Sequence, residues 1–254
     1  MTIMKKSISR GFNLVEIAIV LVIFTLVITG ILRGQELINS AKARNIIDQK
    51  SSFQTAFVAF SNRFKLVAGD LTTAQASYVA NNIVKASVCG GDGVVNFDSS
   101  TGSSATGCPN PESVLVFQNL TAVNLLSCAN CLNATTNVEA TTANTYINSY
   151  SQSLRFGIST SSNGTSGVYW LDPSPTTQPQ KNILSTGSKI TAAILQQVDQ
   201  KADDGFPHSG LFRQSSTDSA DTTANCAPST TTAGVTTWVW SNTGTANCAG
   251  AWLF

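Results

Sequence analysis

The sequence predicts an α+β fold: a long N-terminal helix packed on a C-terminal antiparallel β-sheet head that carries disulfides. Three observations support this fold. An apolar stretch at residues 14–32 is followed by amphipathic helical spacing as far as Phe64. Short runs of apolar and β-branched residues, separated by turn residues, fill much of the remainder. Finally, all six cysteines lie after the apolar stretch, in the part expected to form the head.

The apolar stretch is long enough to cross a bilayer. Residues 17–32 carry no charge. Extending the stretch back to Leu14 gives nineteen residues, of which only Glu16 is charged. A helix of that length rises ~28 Å, close to the thickness of the hydrocarbon core. A carboxylate in hydrocarbon costs on the order of 2.5–3.5 kcal/mol at the centre and less near the interface. Glu16 therefore either reaches the headgroups or has a partner.

The residues before the apolar stretch are basic. Lys5, Lys6 and Arg10 precede Gly11, and Gly11 stands directly before Phe12. In a secretory signal peptide the small residue follows the apolar run, whereas here it precedes that run. Cleavage at this point would remove the charges and keep the apolar helix.

This order of features resembles the class III signal of type IV pilins and type II secretion pseudopilins. The resemblance covers roughly residues 5–50 and consists of the basic leader, Gly11, Phe12 and Glu16. It implies that a prepilin peptidase cuts after Gly11 and methylates the new amino terminus of Phe12. Glu16 would then neutralise that amine in a neighbouring subunit, because two charges too costly to bury singly are tolerated as a pair.

The resemblance also implies how the chain is organised. The expected parts are a basic leader at 1–11, a membrane-spanning or filament-core half of the helix at 12–33, an amphipathic half at 34–65, and an extracytoplasmic globular head at 66–254. No proline occurs before Pro109, so one helix is expected from about Asn13 to about Phe64, with Gly69 as its C-terminal stop. Many type IV pilins carry a helix-kinking proline in the first half, and this chain has none there.

The head is predicted to contain short helices and antiparallel strands. The helices fall at residues 74–86 and 189–201, the second ending at Asp203-Asp204-Gly205. An Asn163-Gly164 turn predicts a hairpin between two of the strands. The predicted strands are 113–118, 154–160, 166–171, 235–241 and 250–254, with 93–97 as a further candidate.

The six cysteines predict disulfides, because an even number in an exported domain is typical of a disulfide framework. Proximity in sequence favours Cys89–Cys108, Cys128–Cys131 and Cys226–Cys248, although other pairings are open. A loop of about twenty residues closed in this way contributes ~3 kcal/mol. The alternatives for Cys128–Cys131 are a redox pair or half of a zinc site. Its Asn/Ala/Thr-rich surroundings and the lack of a second CxxC favour a structural disulfide.

Asp199, Asp203 and Asp204 form an acidic run that could bind calcium, since calcium prefers hard oxygen ligands. Major pseudopilins of the resembling family bind calcium in a C-terminal loop. The sequence here shows no EF-hand spacing, and the alternative is a solvated helix end capped by Gly205. No other cofactor is predicted.

Composition and motifs exclude several function classes. The formal net charge is +1, and removing Lys5, Lys6 and Arg10 leaves twelve basic against fourteen acidic side chains, so no nucleic-acid surface is indicated. His208 is the only histidine, and neither a Gly-x-Ser-x-Gly elbow nor a phosphate-binding loop is present. The chain is therefore not expected to be an enzyme.

The resemblance implies a structural subunit of a type IV pilus or a type II secretion pseudopilus, and the large head and missing proline favour a minor pilin or pseudopilin. The implied partners are the prepilin peptidase, other pilin-like subunits, the inner-membrane assembly platform and the lipid bilayer. The implied location is single-pass in the inner membrane with a periplasmic head, or extracellular in a pilus. The alternative is a singly anchored periplasmic enzyme or binding protein that does not polymerise.

Overall fold

The computed structural model describes residues 14–80, 83, 91, 93–95, 112–133, 140–160, 170–171, 180–215, 223–232, 235–241 and 247–254. Within them the protein is α+β, as predicted, with one long N-terminal helix and an antiparallel sheet in the C-terminal part. The chain divides into two compact units, Met1–Ala41 and Lys42–Phe254, and each is described by itself.

Helix α1 (Leu14–Phe64) is a single helix of 51 residues. It runs unbroken because it contains no proline and its few glycines are isolated. Its surface is apolar all round at first and becomes amphipathic after Ala41. The buried residues of the second part follow three- and four-residue steps, so that they form one stripe. They are Ala43, Ile46, Phe53, Ala56 and Phe60.

The helix ends at Phe64, but not through Gly69 as the sequence predicted. Lys65 takes a left-handed conformation with φ of 56°, and its N–H donates to the Ser61 carbonyl at 2.9 Å. Gly69 lies further on and has a different task. A Cβ at that position would stand 3.0 Å from the Glu112 carbonyl oxygen and 3.1 Å from Cβ of Val116, so glycine permits the close approach of two segments.

Two short helices cover part of the second unit. Helix α2 (Thr73–Val79) begins with a capping box in which Thr72 and Gln75 exchange side-chain and backbone hydrogen bonds. It ends at the Ala80 cap, earlier than the predicted limit of residue 86. Helix α3 (Glu112–Ala122) replaces the strand predicted at 113–118, and that prediction was wrong.

The physical reason for the error lies in the burial of α3. Every residue from Glu112 to Leu120 is buried, so the segment has no polar face that would show a helical period. A short, continuous apolar run is compatible with a buried strand and with a buried helix alike. Its Phe117 ring lies 5.3 Å from the ring of Phe53 on α1.

The main sheet consists of the strands β1 (Arg155–Thr160), β2 (Gln180–Ser185), β3 (Phe212–Ser215) and β6 (Ala249–Leu253). Neighbouring strands are antiparallel, and their order across the sheet is β1-β2-β6-β3. Strands β1 and β6 confirm the predictions at 154–160 and 250–254 in substance. The described partner of β1 is β2, which was not predicted, and residues 166–169 of the predicted hairpin lie outside the described residues.

The remaining elements lie towards the C-terminus. Helix α4 (Ala192–Ala202) confirms the helix predicted at 189–201 and ends where Asp203 N–H donates to the Asp199 carbonyl at 2.7 Å. The short helix α5 (Thr223–Cys226) precedes a separate two-stranded ribbon of β4 (Ser229–Thr232) and β5 (Val235–Trp238). The predicted strand at 235–241 is thus real but shorter. Residues 93–95 are not in a strand, and 96–97 lie outside the described residues.

The core of the second unit is aromatic at its centre. The Phe53 ring lies 4.8 Å from that of Phe156 on β1, 5.9 Å from Phe57 and 6.4 Å from Phe254. Two of the predicted disulfide pairs are confirmed, Cys128–Cys131 and Cys226–Cys248. The pair Cys89–Cys108 lies outside the described residues.

Candidate functional site

The first candidate site is the apolar half of α1, defined as residues 14–32. All its side chains are exposed in this chain, with Leu14 84% and Phe24 61% accessible. Within the described residues, α1 is the one helix that is long and apolar enough to cross a membrane. A continuous apolar surface of this size is covered by lipid or by protein in a working molecule.

The few polar side chains in this segment are satisfied within the helix. Between residues 17 and 32 the side-chain polar atoms belong to Thr25 and Thr29. Thr25 Oγ1 donates to the Val22 carbonyl at 2.8 Å, and Thr29 Oγ1 donates to the Thr25 carbonyl at 2.8 Å. Both hydroxyls therefore enter an apolar environment without losing hydrogen bonds, which is what a bilayer or a helix bundle requires.

Glu16 is the one charged residue of the apolar half, and its side chain is exposed. Along the described helix the nearest cation is Arg33, which lies ~25 Å away by helical rise. Arg33 already pairs with Glu36 at 3.1 Å, and both of those side chains are exposed. The described part of α1 thus offers Glu16 no counter-charge. Gly11 and Phe12, the predicted processing residues, lie outside the described residues.

The second candidate site is the acidic loop that follows α4. One oxygen from each of Asp199, Asp203 and Asp204 can be chosen so that all three lie within 4.8 Å of one another. Asp199 is fully buried, and its Oδ2 accepts a hydrogen bond from Trp240 Nε1 at 2.8 Å. Its Oδ1 accepts from the Gly205 N–H at 3.2 Å. The contact between Asp199 and Trp240 was not predicted from the sequence.

The other two carboxylates hold the loop backbone. Asp203 Oδ2 accepts from the N–H groups of Leu211 and Phe212, the second at 2.8 Å. Asp204 accepts from the Phe206 N–H at 2.9 Å and from the Ser209 hydroxyl at 2.5 Å. Five of the six carboxylate oxygens of the cluster therefore already accept hydrogen bonds from the chain.

Burial raises the pKa of Asp199 to about 7, and the neighbouring charges of Asp204 and Asp203 act in the same direction. The hydrogen bonds from Trp240 and Gly205 oppose this shift but are outweighed. The carboxyl group therefore changes charge near neutral pH. The cluster organises the loop through hydrogen bonds, and calcium binding at these three residues stays a prediction.

The remaining described candidates from the sequence are Cys128, Cys131 and His208. Cys128 and Cys131 are joined to each other, consistent with a structural disulfide. His208 packs by its ring, at 5.4 Å from Trp238 and 6.0 Å from Phe206.

An apolar groove of about 390 Å³ lies in the second unit between α1 and the sheet. Its walls are mainly apolar. The groove could not be predicted from the sequence, because its residues come from distant parts of the chain. Phe53, Phe57, Phe156 and Phe254 line it, and Lys50 stands among them. A concave apolar surface with a few polar groups is a common form of binding site.

Comparisons with protein-family models, with curated proteins and with solved structures gave no match. The functional conclusion therefore depends on the residues of this chain and on their geometry.

Proposed function

We propose that this protein is a pilin-like structural subunit, processed after Gly11 and assembled into a filament through the apolar half of α1. The observation that carries the proposal is one exposed apolar helix surface with a single carboxylate, Glu16, preceded by a basic leader and Gly11-Phe12. A minor pilin or a pseudopilin fits the large second unit best. The head would then lie in the periplasm, or outside the cell in a pilus.

The apolar surface alone would not fix how subunits align. In a membrane the surface is already in contact with lipid tails, which are as apolar as leucine, so transfer into a helix bundle gains little from the hydrophobic effect. A buried ion pair is different, because leaving one partner unpaired is costly. Pairing of Glu16 with the methylated amine of Phe12 on a neighbour would therefore select one axial register.

The partners follow from this mechanism. A prepilin peptidase would cut and methylate the chain, other pilin-like subunits would receive the helix, and an inner-membrane platform would drive assembly. The confirmed disulfides support a head outside the cytoplasm, since disulfides persist in oxidising compartments.

The test replaces Glu16 by alanine in the full-length precursor. We expect the Glu16→Ala protein to accumulate in the membrane at the wild-type amount and to be lost from sheared filaments, because no carboxylate remains to pair with the Phe12 amine. Glu36→Ala is the matched control, since Glu36 lies on the same helix and pairs with Arg33 on the surface. Glu16→Ala filaments at the wild-type level would contradict the proposal.

The alternative is a singly anchored binding protein or enzyme that uses the apolar groove. This reading is favoured by the aromatic walls and by Lys50 among them. Val58 lines the groove and is half exposed, so Val58→Trp would fill the groove without disturbing the core. On our proposal, Val58→Trp leaves filament incorporation unchanged. The alternative makes a prediction for the other variant: Glu16→Ala should change neither the abundance nor the activity of the protein.

A further inference from the structure

The ribbon of β4 and β5 exposes a strand edge that is rich in hydroxyl groups. It forms a two-stranded sheet of its own, and all four residues of β4 are exposed. None of the eight ribbon residues is charged. Within the part of the chain that the structure describes, no third strand pairs with either edge. Among the described residues, the outward backbone groups of the ribbon therefore have no partner strand.

Hydrogen bonds beside the ribbon fix which positions face inward. The Val239 N–H donates to the Pro228 carbonyl at 3.1 Å, and the Ser241 N–H donates to the Cys226 carbonyl at 3.0 Å. The same register continues through the whole of β4 and β5. In an antiparallel pair, hydrogen-bonded and non-hydrogen-bonded positions alternate along each strand. The backbone N–H and C=O groups of every second residue of β4 therefore point away from β5.

This alternation assigns the outer edge of β4. Pro228, Thr230 and Thr232 direct their backbone groups towards β5, whereas Ser229 and Thr231 direct their N–H and C=O groups outward. Natural edge strands are usually protected by lysine, proline, bulges or inward charges. The four residues of β4 include none of these, and the N–H that Pro228 lacks would face β5. The outer edge can therefore accept another strand.

The edge of β5 is less open than that of β4. Trp238 at its end is half-buried, and its ring packs against the ring of His208 at 5.4 Å. A strand approaching from that side would meet the loop that carries His208. The outer edge of β4 is consequently the better docking edge.

We propose that the outer edge of β4 pairs with β4 of a second copy of this chain. An antiparallel pair centred on Thr230 would use the outward groups of Ser229 and Thr231 from both copies and leave none of them unmatched. Threonine pairs across strands already occur in the ribbon, where the hydroxyl oxygens lie 3.2 Å apart for Thr230–Thr237 and 3.0 Å apart for Thr231–Thr236. The strand is thus complementary to itself.

A closed pair fits the geometry better than an open array. If β4 of one copy paired with β5 of the next, the array would repeat every two strands, or ~10 Å. A compact unit of roughly 200 residues has a radius of gyration of about 16 Å, so successive heads would overlap. In two-fold pairing the two β4 edges cover each other, so the assembly ends with two copies. The resulting sheet has four strands, in the order β5-β4 of one copy and then β4-β5 of the other.

The proposal goes beyond the proposed function and does not depend on it. One short strand edge is far smaller than a stable interface, so two free copies would associate weakly. Cysteine trapping of the full-length protein in detergent micelles suits such a contact, because it collects transient pairs. The trap would work whether or not the chain is processed or forms filaments.

The experiment compares Thr230→Cys with Thr232→Cys. In the two-fold pair, the two Cα atoms at position 230 would lie about 4.5 Å apart, within reach of a disulfide. The two at position 232 would lie about 14 Å apart, beyond that reach. Under mild oxidation we expect roughly ten times more cross-linked dimer from Thr230→Cys than from Thr232→Cys. Peptide masses would check that the disulfides Cys128–Cys131 and Cys226–Cys248 remain intact.

Proline substitutions then test the edge itself in the Thr230→Cys background. Thr231→Pro removes an outward N–H of β4 without breaking the ribbon, and Thr236→Pro does the same for β5. We expect Thr231→Pro to abolish the cross-link and Thr236→Pro to retain it. Three results would each overturn the proposal. They are equal cross-linking of Thr230→Cys and Thr232→Cys, a cross-link that survives Thr231→Pro, and an equal reduction of the cross-link by both proline substitutions.

Discussion

The two halves of helix α1 share one backbone and have different surroundings. Phe24 in the apolar half is 61% exposed, whereas Phe53, about eight turns further on, is completely buried. Only Glu16 carries a charge in the first half, while polar residues, among them Arg44, Asp48 and Arg63, occupy nearly all the exposed positions of residues 42–64. The second half buries its apolar stripe within the chain, and the first half buries nothing.

This difference teaches where each half obtains its stability. Residues 42–64 are held by the aromatic core of the second unit, so substitutions there should change the free energy of unfolding of that unit. On our proposal, lipid or other subunits cover the apolar half, so substitutions there should change assembly and leave the free energy of unfolding of the second unit unchanged.

The largest expected effect is that of Phe53→Ala. Phe53 contacts the rings of Phe57, Phe117 and Phe156, and removing such a ring from a core costs about 3–5 kcal/mol. Denaturation of the full chain in detergent, followed by tryptophan fluorescence, measures this loss, because all four tryptophans lie in the second unit.

Phe24→Ala is the matched control for that experiment. It removes the same ring from an exposed position of the same helix, so the free energy of unfolding of the second unit should stay at the wild-type value. A comparable loss for Phe24→Ala would show that the two halves are not energetically separate.

The next effect concerns the disulfide Cys226–Cys248, which joins α5 to the residue before β6 and closes a separation of 22 residues. Replacing both cysteines by alanine should lower the free energy of unfolding by about 3 kcal/mol, because the unfolded chain regains loop entropy. The disulfide Cys128–Cys131 closes a separation of only 3 residues, so replacing both of its cysteines by alanine should lower the free energy of unfolding by about half as much. Urea denaturation measures both, and the reverse order would contradict the loop-entropy account.

A pH dependence of stability is expected from Asp199. Its pKa is raised to about 7 in the folded protein from an ordinary value of 3.8, so the folded state holds a proton that the unfolded state has lost. Stability from this group is therefore complete below pH 4 and is lost as the pH rises through about 7. In the wild type we expect the free energy of unfolding to decline over that range by at most about 4 kcal/mol.

Asp199→Asn should flatten this decline, since the amide does not titrate and its oxygen can still accept from Trp240. Denaturation midpoints at several pH values between 4 and 8 measure the slope. Asp48→Asn, at an exposed position of α1, serves as the control and should leave the slope as in the wild type. An unchanged slope for Asp199→Asn would contradict the role given to the buried carboxyl.

Local patterns predicted the parts of the fold that are long or strongly periodic. Helix α1 was predictable because its apolar spacing persists over 51 residues without proline, and α4 because Ile194 and Val198 lie on one face. Helix α3 was mistaken for a strand because its apolar run, buried on all sides, shows no period. The strands β2, β3 and β4 were missed because their sequences are short and polar in part.

The candidate sites divide in the same way. The apolar half of α1 and Glu16 could be found from sequence, because charge and hydropathy along one helix are local properties. The contact between Asp199 and Trp240 could not, since 41 residues separate them and neither side chain has a local signature. The outer edge of β4 could not be predicted either, because the alternation of its backbone groups depends on the pairing of β4 with β5.

The mass of the N-terminal peptide tests most directly whether this chain is processed after Gly11 and enters a filament, as we propose. The peptide should be recovered from filaments sheared from cells. The account predicts a peptide that begins with methylated Phe12 in that fraction. An intact Met1 leader, or cleavage after residue 33, would contradict the account and favour an anchored protein that does not polymerise.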